Sequence, residues 1–100
     1  MENVSVNAWA EFKEKEDAFL LDVRTLEEFS EGHISGAVNI DIFSPNFQAE
    51  VEKLDKNKDY YVVCRSGGRS MSAAGAMESM GFAKVTNLAG GMMSWMGETE

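Results

Sequence analysis

The chain has 100 residues, enough for one compact domain that buries a core without disulfides or metals. Hydrophobic residues make up 44% and charged residues 26%, which excludes a disordered composition. Nine basic and seventeen acidic residues give a formal net charge of -8, so nucleic acids and anionic membranes are poor partners. We expect a single domain over residues 1–100.

Charged side chains interrupt the first twenty residues, which leaves no apolar run suited to a secretory signal. No later run approaches the length of a membrane span. The single cysteine, Cys64, excludes an internal disulfide, and a lone thiol is typical of a reducing compartment. We therefore expect a cytoplasmic protein that does not bind membranes.

The chain begins with a short helix and a buried strand. Asn7 is a candidate N-cap for a helix that buries Trp9 and Phe12 on one face. The apolar run 19–21 predicts a strand that ends at Asp22.

The next elements are short and carry clear boundary signals. Thr25 and Glu28 have the spacing of a capping box for a helix that ends at Gly32. A second strand is predicted over 37–40. A Ser-Pro start and apolar positions at helical spacing predict another helix over 44–54.

The strongest strand signal is the aromatic and β-branched run 60–63, which leads directly into Cys64. After a glycine-containing loop, the pattern predicts a helix over 70–80. A last strand over 84–88, a glycine turn and a short helix bearing Trp95 complete the chain.

Strands that alternate with helices predict an α/β fold in which a mostly parallel sheet has helices on both faces. Ligands of such sheets bind beyond the carboxyl ends of the strands. Asp22 and Cys64 both lie at predicted carboxyl ends. This edge is therefore the candidate functional site.

The loop between the strand predicted over 60–63 and the helix predicted over 70–80 is a candidate anion-binding loop, in which backbone N–H groups would form a cradle. Its residues are Cys64, Arg65, Ser66, Gly67, Gly68, Arg69 and Ser70. Glycines allow the backbone N–H groups to turn inward, and the following helix adds the positive end of its dipole. Such a cradle lowers the thiol pKa from its reference value of about 8.5 and makes the cysteine nucleophilic. The alternative is an inert buried cysteine, but a buried core cysteine does not require two arginines in the loop beside it.

These segments resemble the successive signatures of the rhodanese family across almost the whole chain. They are Leu21-Asp22-Val23-Arg24, Glu28-Phe29, the run from Gly32 to Ala37, the Cys64–Ser70 loop, and Leu88-Ala89-Gly90-Gly91 with Trp95. The resemblance implies a five-stranded parallel sheet and a cysteine loop curled around a bound sulfur atom. It also implies that Cys64 carries the sulfur and that the loop from Arg65 to Ser70 binds the anionic substrate. One departure is Asp41, where the family often has a proline, and it predicts a local loop difference.

Four further side chains have candidate supporting roles. Asp22 is expected either to anchor Arg69 by a charge-assisted hydrogen bond or to serve as a cap or turn residue. Arg24 and Glu28 are expected to form a surface pair. His33, the one histidine, is expected to be structural rather than a general base for the thiol.

We expect no cofactor and no metal, because the cysteine and histidine clusters of a metal site are lacking and the methionines suit core and groove positions. Of the two loop arginines, Arg65 is expected to be exposed and to recruit the donor. Arg69 is expected to be more buried and to hold the loop shape.

These features predict a sulfurtransferase of the thiosulfate type. Cys64 would take sulfane sulfur from an anionic donor and pass it as a persulfide to cyanide or a thiol acceptor, either a small molecule or a thioredoxin-like protein. One alternative is a cysteine-dependent phosphatase or arsenate reductase, which typically has five residues between cysteine and arginine. Four separate Cys64 from Arg69 here. Another alternative is a non-catalytic or sulfur-relay interaction domain.

Overall fold

The computed structural model describes residues 1–100 and contains a five-stranded sheet in which all neighbouring strands are parallel. The strand order is β1-β5-β4-β2-β3. The strands are β1 (Glu2–Ser5), β2 (Ala18–Asp22), β3 (Val38–Asn39), β4 (Asp59–Val63) and β5 (Lys84–Ala89).

Five short helices connect and cover the strands. They are α1 (Trp9–Phe12), which follows a 3-10 turn over Val6–Ala8, α2 (Leu26–Glu31), α3 (Phe47–Glu52), α4 (Gly68–Ser79) and α5 (Gly91–Ser94). None of them is long and apolar enough to cross a membrane.

The central strand β4 is buried along its whole length. Its aromatic and β-branched residues suit a position with neighbours on both sides and a core on each face. Tyr60 lies opposite Val85 of β5, and Val62 lies opposite Leu21 of β2. The register places Val63, the last residue of β4, opposite Asp22, so both strands end at the same edge of the sheet.

A separate hydrophobic core lies on each face of the sheet. The first core contains alternate β4 residues, Tyr60 and Val62, and packs them against α3 and α4. The second contains Tyr61 and Val63 with residues of the 3-10 turn and α1, and half-buried Met92 of α5 packs against it. The period-two alternation along β4 therefore fixes which helices cover which face, and the predicted α/β architecture is confirmed.

Several boundaries differ from those predicted. Ser5, not Asn7, caps the first turn, accepting a hydrogen bond from the Asn7 backbone at 3.3 Å. The Asn7 side chain instead donates to Ser94 O and accepts from the Met96 N–H, which ties the chain end to the first turn. The capping box of Thr25 and Glu28 is confirmed.

The remaining differences are in length. The strand predicted over 37–40 is only Val38–Asn39, and the helix predicted over 44–54 is Phe47–Glu52. Helix α4 begins at Gly68, two residues before the predicted start. Consequently only residues 65–67 separate the cysteine from the helix.

Candidate active site

Cys64 follows the last residue of β4 and is fully buried. Helix α4 begins four residues later, so the chain must reverse within a very short loop. Gly67 makes this turn in the left-handed region, at a φ of 109°. A side chain is strained in that conformation, which explains glycine at this position.

The Cys64 sulfur accepts hydrogen bonds from the loop. The Gly67 N–H donates to Sγ at 3.0 Å. Burial raises the pKa of the Cys64 thiol, but hydrogen bonds from the Ser70 hydroxyl and the backbone amides of Ser70, Gly67 and Ser66 outweigh it, and the pKa lies below its usual value. The expected cradle of inward amides is present, and it favours a thiolate.

Helix α5 supports the outer side of the loop. The Met92 N–H donates to Cys64 O at 2.8 Å, and the Met93 N–H donates to Arg65 O at 2.9 Å. Gly91 has a φ of 57°, and a Cβ atom there would overlap the carbonyl oxygens of Cys64 and Arg65. Both carbonyl groups are bound by backbone N–H groups of α5. The close packing of α5 against the loop therefore requires glycine at position 91, a requirement that the sequence motif alone did not explain.

Arg69 is anchored by Glu28. Its Nη1 and Nη2 atoms donate to the two Glu28 carboxylate oxygens at 2.8 and 2.9 Å. This guanidinium, together with the Thr25 backbone, lowers the pKa of Glu28 to about 2. Because Glu28 also closes the α2 capping box, one carboxylate fixes both the start of α2 and the start of α4.

Of the two roles expected for Asp22, the contact with Arg69 is wrong and the turn role is confirmed, because the Arg24 N–H donates to Asp22 Oδ1 at 3.0 Å. The expected surface pair of Arg24 and Glu28 is also wrong. The fully buried Asp22 carboxylate is bound by Arg24, with Oδ1–Nε at 3.0 Å and Oδ2–Nη2 at 2.8 Å. A buried carboxylate needs a nearby counter-charge, and Arg24, two residues beyond the strand, supplies it. Arg24 also donates to Gly32 O at 2.8 Å. The hydrogen bonds to Glu28 are the main cause of the raised pKa of Arg69, and Asp22 adds only a longer-range attraction.

A cleft of about 400 Å³ adjoins the loop. It is lined by Arg24, Glu28, Glu31, Gly32, Arg65, Met92 and Met93. Arg65 is exposed, whereas the Arg69 side chain is only 24% exposed, as expected for the two arginines. A small anion that enters the cleft meets Arg65 beside the cysteine loop.

His33 contacts Phe29 of α2 through a hydrogen bond and ring stacking. Its Nδ1 lies 2.9 Å from Phe29 O, and its ring stacks on Phe29 with centroids 3.8 Å apart. Its Nε2 faces the Glu100 carboxylate at 3.8 Å. With both nitrogens engaged away from the thiol, His33 is not positioned as a base for Cys64.

The model of the rhodanese-like domain family matches residues 5–98, which is nearly the whole chain. The chain belongs to the rhodanese-like family. A putative sulfurtransferase of Bacillus subtilis, YtwF, is 44% identical over 95 residues, a match that covers 91% of this chain and 89% of that protein. YrkF of the same organism, named a putative sulfur carrier protein, is 42% identical over 97 residues that make up 49% of its length.

Solved structures agree with this assignment. The crystal structure of a rhodanese-like domain protein from Staphylococcus aureus superposes on the whole of this rhodanese-like domain with a TM-score of 0.85 and 29% identity, and the match covers 97% of that chain. Family and fold are therefore both as the sequence motifs predicted.

Two features of the site were not found from the sequence. The role of Glu28 was missed because its capping-box spacing already explained it. A carboxylate that caps a helix can still accept further hydrogen bonds on both oxygens, as Glu28 does from Arg69. The contacts of α5 with the loop were missed because they use backbone N–H groups, which leave no side-chain signal except Gly91 itself.

Proposed function

We propose that this rhodanese-like domain transfers sulfane sulfur from a donor such as thiosulfate to a thiophilic acceptor through a persulfide on Cys64. The observation that carries the proposal is the buried Cys64 sulfur held by the Gly67 N–H at 3.0 Å beside a cleft that contains Arg65. The names of the relatives support transfer or carriage of sulfur.

In the first half-reaction, the Cys64 thiolate attacks the outer sulfur of thiosulfate. A new S–S bond forms, the original S–S bond breaks, and sulfite leaves with the electron pair. The product is Cys64–S–S⁻, whose negative charge lies where the loop amides point. Arg65 assists by attracting the dianionic donor into the cleft.

In the second half-reaction, an acceptor attacks the terminal sulfur. With cyanide, carbon bonds to that sulfur, the S–S electron pair returns to Sγ, and thiocyanate leaves a Cys64 thiolate. With an acceptor thiol, the terminal sulfur passes to the acceptor as its persulfide anion, and the thiol proton ends on Cys64. The name of YrkF favours a protein acceptor or a sulfur-relay role as the physiological form of this step.

Phosphoryl chemistry fits this loop less well. A phosphatase of this type needs its arginine to bind the oxygens of a phosphoryl group, but both Nη atoms of Arg69 are bound to Glu28. Only four residues separate Cys64 from Arg69, so the amides converge close to the sulfur. These contacts support transfer of one sulfur atom over hydrolysis of a tetrahedral ester.

Turnover assays test the proposal. We expect thiocyanate formation from thiosulfate and cyanide with ping-pong kinetics, and its complete loss in Cys64→Ser. The control is an unchanged unfolding curve for that variant, because a hydroxyl fits the space of the thiol. Efficient hydrolysis of an aryl phosphate with no thiocyanate formation would refute the proposal, as would full turnover by Cys64→Ser.

A further inference from the structure

One nitrogen of the Arg24 guanidinium group has no partner within the protein. Nε donates to both oxygens of the Asp22 carboxylate, at 3.0 and 3.1 Å, and Nη2 donates to Asp22 Oδ2 and to Gly32 O, both at 2.8 Å. Nη1 makes no hydrogen bond. Every fully buried side-chain nitrogen of the protein has a partner, so Nη1 reaches the surface although the Arg24 side chain is only 7% exposed.

The surface that Nη1 reaches is the cleft beside the cysteine loop, because Arg24 lines that cleft together with Arg65. Strand pairing explains this position. The Val23 N–H donates to Val63 O at 3.0 Å, so the segments that follow β2 and β4 leave the sheet side by side. Arg24 is the next residue on one segment and Cys64 is the next residue on the other. The free donor therefore lies at the same edge of the sheet as the reactive sulfur.

The contacts of Arg24 make Nη1 a polarised donor. Asp22 binds the Nε and Nη2 side of the guanidinium group and supplies the counter-charge that a buried arginine needs. The pair is neutral as a whole, but its positive end is the unbound Nη1 side. Such a group attracts an anion weakly from a distance and binds it firmly on contact, through a charge-assisted hydrogen bond.

The other charges of the cleft do not by themselves orient an anion. Glu28 is bound to Arg69, which is not part of the lining. Arg65 and Glu31 are both exposed and neither forms an ion pair, so their opposite charges offset each other in part. The methionine side chains of the lining have no donor. An anion that enters the cleft therefore needs a directed donor in addition to the charge of Arg65.

We propose that Arg24 is a second anion-binding residue of the cleft, whose Nη1 donates to an oxygen of the sulfur donor while Arg65 supplies the attracting charge. The inference rests on the proposed function, in which thiosulfate is the donor. Held by its oxygens, thiosulfate presents its outer sulfur to Cys64, and the same hydrogen bond stays with the sulfite that leaves. Arg24 thus selects donors that carry an oxyanion at the end away from the transferred sulfur.

Binding of thiosulfate to the Cys64→Ser variant tests the proposal without any sulfur transfer. Arg24→Lys is the test substitution, because lysine keeps the positive charge beside Asp22 but has no second nitrogen to replace Nη1. We expect the dissociation constant for thiosulfate, measured by NMR titration, to rise about tenfold, as expected for the loss of one charge-assisted hydrogen bond. The rise should be equal at low and high salt, because it comes from a contact rather than from long-range charge.

Glu31→Gln is the matched control in the same cleft. It removes a charge but no donor, so it should lower the dissociation constant about twofold at low salt and leave it unchanged at high salt. An unchanged dissociation constant in folded Arg24→Lys would overturn the proposal, because Arg24 would then serve only to bind Asp22 and Gly32.

A second measurement keeps Arg24 and does not depend on whether Arg24→Lys folds. In Cys64→Ser, the guanidinium NMR signals of Arg24 should shift as thiosulfate is added and saturate at the same concentration as those of Arg65. Shifts confined to Arg65, or no saturable shift at all, would refute the inference. Neither measurement involves turnover, so failure of thiosulfate to modify wild-type Cys64 would refute the proposed function and leave this binding result standing.

Discussion

The reactivity of Cys64 results from two opposed effects on one atom. Full burial favours the neutral thiol, whereas the amides and hydroxyl of the loop favour the thiolate and prevail. In the persulfide that we propose, the same donors would remain in place for the negative charge on the terminal sulfur. A side chain with no neighbouring base can therefore act as a nucleophile near neutral pH.

The pair of Glu28 and Arg69 makes stability dependent on pH. The pKa of Glu28 is about 2 in the folded protein, below its ordinary value of 4.5. The pair therefore stabilises the fold above about pH 4.5, and this contribution is lost as the pH falls toward 2. Because both side chains are about one quarter exposed, the pair contributes only modestly to stability. We expect Glu28→Gln to lower the free energy of unfolding by about 1 kcal/mol at pH 7 and by little at pH 2.

Urea unfolding at several pH values measures this effect. Glu27→Gln is the matched control, since Glu27 lies in the same first turn of α2 and is exposed. Equal losses for the two variants at pH 7 would show that the ion pair contributes nothing.

The two loop arginines should differ in steady-state kinetics. Arg65 is exposed in the cleft, so Arg65→Ala should raise the KM for thiosulfate about fivefold with kcat nearly unchanged. Arg69 holds the start of α4 through Glu28, so Arg69→Ala should lower kcat and the unfolding free energy together. The same kinetic change in both variants, with no loss of stability at Arg69, would contradict this division.

Helix α5 binds the carbonyl groups of Cys64 and Arg65, and this close contact depends on Gly91. Gly91→Ala would force Cβ against Cys64 O and Arg65 O at a positive φ. We expect a loss of about 1–3 kcal/mol of unfolding free energy and a large drop in sulfur transfer. Gly75→Ala in α4 is the control, because a Cβ atom there meets nothing within 4 Å, and it should stabilise the helix by about 0.5–1 kcal/mol. Unchanged stability and turnover for Gly91→Ala would show that the loop does not depend on α5.

The buried central strands were predictable, whereas the edge strand β1 was not. β4 consists largely of an apolar run that few other environments accept, and both it and β5 were found. β1 has the sequence Glu-Asn-Val-Ser, and three of its four residues are exposed. It is held by backbone hydrogen bonds to β5, and such bonds leave no pattern of side chains in the sequence from which the strand could be predicted.

The site was predictable to the extent that its motif was continuous in sequence. Cys64 and its loop lie within seven consecutive residues, and their spacing alone indicated an anion cradle. The ion pairs depend on how α2 packs beside α4, which local spacing does not determine. For this reason the sequence left the role of Asp22 open between anchoring Arg69 and forming a turn, and did not predict the pair of Arg69 and Glu28.

The molecule as a whole places its chemistry at one edge of a parallel sheet. β2 and β4 end together there, so a buried ion pair, the reactive thiol and the start of α4 lie side by side. The chain carries a net charge of -8, and Arg65 is the exposed cation of the loop. In the proposed function, this local charge within an acidic surface would draw an anionic donor to the cleft.

Intact mass spectrometry of the non-reduced protein after exposure to thiosulfate tests the central claim most directly. We predict that the wild type gains the mass of one sulfur atom, that cyanide or a thiol removes it, and that Cys64→Ser gains nothing. A wild-type protein whose mass never changes, or a Cys64→Ser variant that gains the same sulfur, would contradict the assignment of Cys64 as the sulfur carrier.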